Sequence, residues 1–79
     1  MTAVERRVIG ILSRTAMLPE ETVTRDASLT ALGIKSLEQI ESVLALEDEF
    51  HIELDQPDLR TLRTVQDVIG AVQGALDRR

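Results

Sequence analysis

The sequence predicts an all-α fold: a four-helix bundle of three main helices and a short third helix, with a long loop after the first. Three segments carry apolar residues at helical spacing, and each begins with a pattern typical of a helix N-terminus. The chain has one Phe and no Trp or Tyr, so its core must consist of Leu, Ile, Val and Ala. Its 79 residues suit one domain, residues 1–79.

The first helix is predicted over about residues 3–15. Thr2 and Glu5 have the spacing of a capping box, in which each side chain accepts from the other residue's backbone N–H. The connection from Met17 to Ile34 is polar and long, and Pro19 disfavours continuation of the helix. We expect its apolar residues to anchor it to the core: Leu18, Val23, Leu29, Leu32 and Ile34.

The second helix is predicted from Ser36 to Phe50, with Ser36 as its N-cap and Gln39 closing another capping box. Its apolar residues cover an arc of roughly 180°, which predicts contacts with several elements and a central place in the bundle. These residues are Leu37, Ile40, Val43, Leu44, Leu46 and Phe50. The acids Glu38, Glu41, Asp48 and Glu49 lie opposite, and Glu47 is expected at the edge of the apolar arc, within reach of water.

A connection from His51 to Pro57 contains two apolar anchors, Ile52 and Leu54. Asp58–Leu62 suits one helical turn that depends on packing for its stability. Thr64 is a good cap for the last helix, whose apolar residues are Val65, Val68, Ile69, Val72 and Leu76. Gly70 and Gly74 either weaken this helix by roughly 1 kcal/mol each or permit close approach of a neighbour.

Composition and charge exclude several functions. The net charge of −5 argues against nucleic acid as a partner, because phosphates attract Lys and Arg. No apolar run approaches the length of about 18 residues that suggests a membrane span, and the N-terminus lacks signal-peptide character, so we expect a monomeric, cytoplasmic protein. With no Cys and a single His, no metal site or catalytic constellation is predicted, and an enzyme is disfavoured.

Acidic residues are concentrated in one part of the chain. From Ser36 to Asp58 there are eight Asp and Glu residues and no Lys or Arg, so all nine basic residues lie elsewhere. One interpretation is a solvated helix face. The other is a docking surface for partners with basic patches, since charges at the rim of an interface steer association.

The motif Leu32-Gly33-Ile34-Lys35-Ser36-Leu37 stands before the acidic second helix, which ends Leu46-Glu47-Asp48-Glu49-Phe50. With Ile52-Glu53-Leu54 and the segment from Leu62 to Val68 at the matching distance, this pattern resembles the acyl carrier proteins over nearly the whole chain. The resemblance implies a bundle of the acyl-carrier type. It also implies that Ser36 bears a 4'-phosphopantetheine arm, added by a phosphopantetheinyl transferase, whose thiol holds an acyl group as a thioester.

The resemblance further implies that partner enzymes recognise the second helix. Glu41, Glu47 and Asp48 are then candidate contacts, with Leu37 as an apolar contact beside the arm and Glu38 on the same acidic helix. A cargo space between the second, short and last helices is predicted as well, against the alternative of a fully packed core. Its candidate lining is Ile40, Val43, Leu46, Leu59, Leu62 and Ile69.

Lys35 departs from the resemblance, since the residue before the serine is usually Asp in fatty-acid and polyketide carriers. A Lys opposes the positive end of the helix by roughly 0.3–1 kcal/mol and inverts the charge beside the arm. Lys35 is therefore a candidate partner contact. One hypothesis is a specialised carrier with a dedicated transferase or pathway, and the other is a neutral exchange in which Lys35 extends into water.

Three functions remain open from the sequence. The first is an acyl carrier of fatty-acid, polyketide or related specialised biosynthesis, favoured by the acidic second helix and the single Gly33. The second is an aminoacyl or peptidyl carrier of a dedicated pathway. The third is an unmodified acidic helical interaction module, in which Ser36 is an ordinary helix cap. The length suits either a free-standing protein or a domain of a larger one.

Overall fold

A computed structural model of the chain, which describes residues 1–55 and 59–79, confirms the all-α prediction. Helix α1 spans Ala3–Ala16, α2 spans Ser36–Phe50 and α3 spans Val65–Arg78. A 3₁₀ turn, Glu20–Thr22, follows Pro19 in the first loop. Leu59 and Arg60 are helical, in agreement with the predicted short helix, whose first residue, Asp58, lies outside the described residues together with Pro57.

The first and last helices begin as their sequences predict. Thr2 Oγ1 accepts from the Glu5 N–H at 3.1 Å, and Glu5 Oε1 accepts from the Thr2 N–H at 3.2 Å. Thr64 and Asp67 make the same reciprocal pair at the start of α3, at 3.2 and 3.1 Å. Each box satisfies backbone donors that a helix N-terminus leaves without partners.

The core is aliphatic, with Phe50 as its one aromatic member, and it is shared by all three helices and the first loop. Val8 and Leu12 of α1, Leu46 of α2 and Ile69 of α3 are each at most 1% exposed. The larger interhelical contacts are those of α1 with α2 and with α3. The prediction of a central α2 is therefore wrong, and α1 is the element that joins the other two.

The long first loop is anchored as predicted by buried apolar side chains, of which Val23, Leu29 and Ile34 are at most 4% exposed. Backbone hydrogen bonds attach the same loop to the start of α3. The Leu29 N–H donates to the Arg63 oxygen at 2.9 Å, and the Val65 N–H donates to the Ala27 oxygen at 3.1 Å. These bonds form an isolated antiparallel bridge between Ser28 and Thr64, so the loop and α3 hold one another.

A polar network also links the loop to two helix N-termini. Arg25 Nε lies 3.3 Å from Glu5 Oε2 and donates to Gln66 Oε1 at 2.7 Å. The Thr2 amide contributes most to lowering the pKa of the Glu5 carboxyl, and the Thr2 hydroxyl and the Arg25 charge add to it, against the opposing effect of burial. The start of α1, the loop and the start of α3 therefore meet at Arg25.

The far end of α2 is closed by its neighbours. His51 adopts the left-handed conformation with φ 55°, and the Ile52 N–H donates back to the Glu47 oxygen at 3.2 Å. Arg79 Nη1 donates to the Phe50 oxygen at 2.8 Å, which places a cation at the negative end of the helix. Within residues 1–55 and 59–79, no helix has the length and apolar character needed to cross a bilayer.

Candidate functional site

Ser36 is the first residue of α2, and its side chain is exposed. The prediction that Ser36 is the N-cap with Gln39 as its box partner is wrong by one residue. The Gln39 N–H donates to the Lys35 oxygen at 2.7 Å, so Lys35 supplies the first intrahelical acceptor and is the N-cap. The Lys35 N–H donates to Glu38 Oε1 at 3.1 Å, so Glu38, and not Gln39, accepts from the N-cap backbone.

The start of α2 is more open than the starts of α1 and α3. A lysine side chain has no acceptor, so Lys35 cannot accept from the third helical amide as Thr2 and Thr64 do. In the part of the chain that the structure describes, the Ser36 hydroxyl has no hydrogen-bond partner. An exposed hydroxyl thus stands beside uncapped amides at the positive end of a helix, an arrangement that favours an attached or bound anion.

A tight turn delivers this serine. Gly33 has φ 82°, a conformation that suits residues without a Cβ. The N–H groups of Leu32 and Ile34 both donate to the Leu29 oxygen, at 3.1 and 2.9 Å. Because Leu29 and Ile34 are buried on either side of the turn, the position of Ser36 is fixed by the core.

An apolar groove lies on one side of Ser36. Its walls are Ser36, Gln39, Ile40, Val43, Leu44, Glu47, Leu54 and Leu59. Three members of the predicted cargo space, Ile40, Val43 and Leu59, line it. Leu46 and Ile69 do not, since both are fully packed in the core. The groove is therefore shallower than the predicted space and lies between α2, Leu54 and Leu59.

A second cavity beside Ser36 has basic and hydroxyl side chains in its lining that the sequence did not predict, and we call it the basic cavity. It is bounded by Ser28, Leu29, Thr30, Ile34, Lys35, Ser36, Gln39, Leu62 and Arg63. Leu62, which was expected in the cargo space, faces this cavity instead. Ser36 and Gln39 are common to both cavities, so the serine stands between the apolar groove and the basic cavity.

Half of the apolar arc of α2 is outside the core. Val43, Leu46 and Phe50 are buried, whereas Leu37, Ile40 and Leu44 are 65%, 59% and 60% exposed. The second group follows one face of the helix, at spacings of three and four residues. We call Leu37, Ile40 and Leu44 the exposed stripe. Ile40 and Leu44 were expected to contact other elements of the bundle. The roughly 180° width of the apolar arc was the sequence feature that could have indicated exposed residues.

The acids of α2 divide by their partners. Glu49 Oε2 pairs with Arg7 Nη2 at 2.7 Å, and Arg7 also stacks over the Phe50 ring at 4.3 Å. Glu47 is half-buried, in agreement with its predicted place at the edge of the apolar arc. It also accepts from the Leu54 N–H at 2.8 Å and so holds the segment that follows α2. Glu38 caps Lys35. Glu41 and Asp48 are exposed and have no partner among the described residues.

The site lacks a means of activating its own serine. His51 lies at the opposite end of the 15-residue α2, about 22 Å from Ser36 by helical rise. Among residues 1–55 and 59–79, no group of His, Cys, Asp or Glu is arranged to hold a metal ion. The arrangement can therefore present a hydroxyl to an external enzyme, with two cavities beside it, and no described residue hydrogen-bonds to that hydroxyl as a base would.

Comparisons with known proteins agree with this geometry. The family model described as "Phosphopantetheine attachment site" matches residues 6–72. Among solved structures, the chain is similar to an acyl carrier protein from Thermotoga maritima, determined at 2.00 Å resolution. The identity is 27%, the match covers 92% of this chain and 86% of that one, and the TM-score is 0.79.

Proposed function

The chain belongs to the phosphopantetheine-attachment family of carrier proteins, and on that premise we propose that Ser36 bears the 4'-phosphopantetheine arm and carries acyl groups. Members of the family carry covalently attached 4'-phosphopantetheine and are not catalysts. The arm supplies the thiol on which an acyl group is held as a thioester. This chain's part is to hold the arm, to present it and to be recognised.

The observation that supports attachment at Ser36 is its free, exposed hydroxyl at the uncapped start of α2. Attachment there makes the oxygen part of a phosphodiester, which carries a negative charge. Uncapped amides and the positive end of the helix dipole favour that charge. The serine is also held by the buried Leu29 and Ile34, so an enzyme that docks on the surface meets it in a fixed place.

The proposed partners are a phosphopantetheinyl transferase and acyl-loading and acyl-processing enzymes with basic docking patches. The exposed stripe supplies apolar contact area, and the unpartnered Glu41 and Asp48 supply charge beside it. Leu37 lies next to the arm. Glu38 and Glu47 are weaker candidates, because each already accepts an intramolecular hydrogen bond.

We propose further that residues 1–79 act as one carrier domain, monomeric and cytoplasmic, in fatty-acid, polyketide or related specialised biosynthesis. The acidic, cysteine-free composition supports this placement. The acidic α2 and its apolar groove favour acyl over aminoacyl cargo. Loading assays with acyl and aminoacyl donors on the modified protein separate the two classes, and preferential aminoacylation would contradict the acyl assignment.

The decisive experiment is intact mass after co-expression with a broadly specific transferase. The wild type is expected to gain one phosphopantetheine, and Ser36→Ala is expected to gain none. Ser28→Ala is the matched control, because Ser28 is also an exposed serine near the start of α2, and it should be modified fully. If several transferases leave the folded wild type unmodified, the acidic interaction module becomes the better assignment.

Lys35 is proposed as a determinant of which transferase acts. It puts a positive charge beside the reacting hydroxyl, where the family usually has a negative one. Lys35→Asp is expected to raise the rate with a housekeeping transferase, with Arg6→Asp as a control of equal charge change on an exposed position of α1. Equal rates for wild type and Lys35→Asp would leave the neutral-exchange interpretation.

A further inference from the structure

The basic cavity beside Ser36 takes its charge from two residues. Among the residues that the structure describes, Lys35 and Arg63 are its charged members, and the Ser28 and Thr30 hydroxyls also line it. Those hydroxyls lie 2.9 Å apart and bond to one another. The apolar groove has the opposite character, since Glu47 is the one charged residue among its described lining residues. An anionic group attached to Ser36 therefore meets two distinct electrostatic environments.

Arg63 is held at this cavity by its backbone. Its oxygen accepts from the Leu29 N–H at 2.9 Å, and its own N–H donates to Asp67 Oδ2 at 3.0 Å. Both bonds use main-chain atoms of Arg63, and in the described part of the chain its guanidinium has no hydrogen bond. The bridge between Ser28 and Thr64 fixes the residue on the Ser28–Thr30 side of the serine.

Lys35, like Arg63, makes hydrogen bonds within the protein through its backbone atoms. Its N–H donates to Glu38 and its oxygen accepts from Gln39, while its ammonium makes no ion pair with any described residue. It directly precedes Ser36. Two cations from separate parts of the chain thus line one cavity next to the attachment oxygen.

We propose that Lys35 and Arg63 hold the phosphodiester at the root of the arm in the basic cavity, so that the arm leaves Ser36 toward the Ser28–Thr30 loop. The inference rests on the proposed function, because it needs the arm on Ser36. The atoms after the phosphate carry a hydroxyl and amides, which match the cavity's own hydroxyls. The apolar groove on the other side then stays open for the hydrocarbon part of the cargo.

Desolvation and charge both disfavour the reverse arrangement. A phosphodiester placed against Ile40, Val43 and Leu54 loses water and meets no Lys or Arg among the described lining residues, which is costly. Glu47 in the same groove would also repel it. In the basic cavity, Lys35 and Arg63 are placed to form charge-assisted hydrogen bonds to phosphate oxygens, and the Arg63 charge also acts on the Asp67 carboxyl.

The test compares backbone amide NMR spectra of the apo- and holo-proteins after mass has confirmed full modification. In the wild type, attachment is expected to shift the amides of Leu29, Thr30 and Arg63 as well as those next to Ser36. Lys35→Gln and Arg63→Gln should each lower the ratio of docked to free arm by roughly two- to fivefold, as expected for an exposed pair. High salt should act in the same direction.

Arg6→Gln is the matched control, since it removes one positive charge from an exposed position of α1, and it should leave the shifts unchanged. Shifts confined to the neighbours of Ser36, or appearing instead at Ile40, Leu44 and Leu54, would overturn the inference while the carrier function stands. Failure of mass to show an arm would overturn the proposed function itself.

Discussion

At the scale of single residues, the glycines show how backbone conformation decides tolerance to substitution. Gly33 has φ 82°, and a side chain there is strained even though no atom lies within 4 Å of an added Cβ. Gly70 is an exposed residue inside α3, also with nothing within 4 Å, so the close approach considered from the sequence does not occur there. The same substitution is therefore expected to have opposite effects at the two positions.

Gly70→Ala should raise the free energy of unfolding by about 1 kcal/mol, the difference in helix propensity. Gly33→Ala should lower it by roughly 1–2 kcal/mol, the cost of left-handed backbone for a residue with a Cβ. Urea unfolding followed by far-ultraviolet circular dichroism measures both, since the chain has no Trp or Tyr to report by fluorescence. A loss of stability in Gly70→Ala would show that α3 needs the glycine.

The Asp67 carboxyl makes the stability of the fold depend on pH. The N–H groups of Arg63 and then Thr64 donate to it and lower its pKa, with a smaller opposing effect of burial. A depressed folded-state pKa stabilises the fold above the unfolded pKa, and this contribution is lost as pH falls through the folded value. Asp67→Asn should therefore flatten the fall in stability below about pH 4.

The measurement for Asp67 is urea unfolding at a series of pH values from neutral to acid. Asp77→Asn serves as the control, because Asp77 is an exposed carboxyl on the same helix that caps no backbone. It should retain the wild-type acid slope. If stability falls with pH as steeply in Asp67→Asn as in the wild type, the loss of stability in acid is due to Glu5, whose pKa is also lowered.

At the scale of the helix, α2 has two apolar groups with different uses. Leu46 is 1% exposed and Leu44 is 60% exposed, although both are Leu on one helix. Leu46→Ala should cost roughly 2–5 kcal/mol through the cavity it leaves. Leu44→Gln should change stability by less than about 0.5 kcal/mol and weaken binding to a partner enzyme.

Unfolding and partner titration on the same two variants separate these roles. Leu46→Ala should bind a partner normally once it is folded, and Leu44→Gln should fold normally and bind poorly. A strongly destabilised Leu44→Gln would place Leu44 in the core. Normal binding of that variant would remove the exposed stripe from the docking surface.

Helix positions could be predicted from the sequence because caps and spacing are local signals. Thr2 with Glu5, and Thr64 with Asp67, mark their helices correctly. The predicted N-cap of α2 is wrong by one residue, because Ser36 is a residue type that often caps helices and Lys35 is not. The Glu38 carboxylate nevertheless accepts from the Lys35 N–H. Periodicity also cannot separate packed from docking residues, so Ile40 and Leu44 were assigned to the interior.

At the scale of the molecule, charge is segregated, with eight acids and no Lys or Arg between Ser36 and Asp58. Added NaCl screens repulsion among these acids. The midpoint of urea unfolding is therefore expected to rise with NaCl, while association with a basic partner weakens. A falling midpoint would mean that ion pairs such as Arg7 with Glu49 outweigh the repulsion.

The two cavities are properties of the whole molecule, and that is why the sequence could not predict the basic cavity. Arg63 follows Ser28 by 35 positions in the chain, and only the bridge brings them together. The motif around Ser36 was recognisable because its residues are contiguous. The surroundings of that serine depend on contacts that no local pattern records.

The bridge between Ser28 and Thr64 has a consequence during synthesis of the chain. Until the ribosome has released Arg63 and Val65, the Leu29 N–H and the Ala27 oxygen lack the partners that join the first loop to the start of α3. The turn that orients the serine then lacks one of its two supports. We therefore expect a nascent chain stopped before Arg63 to be a poor substrate for arm transfer, so that modification waits until the start of α3 has emerged.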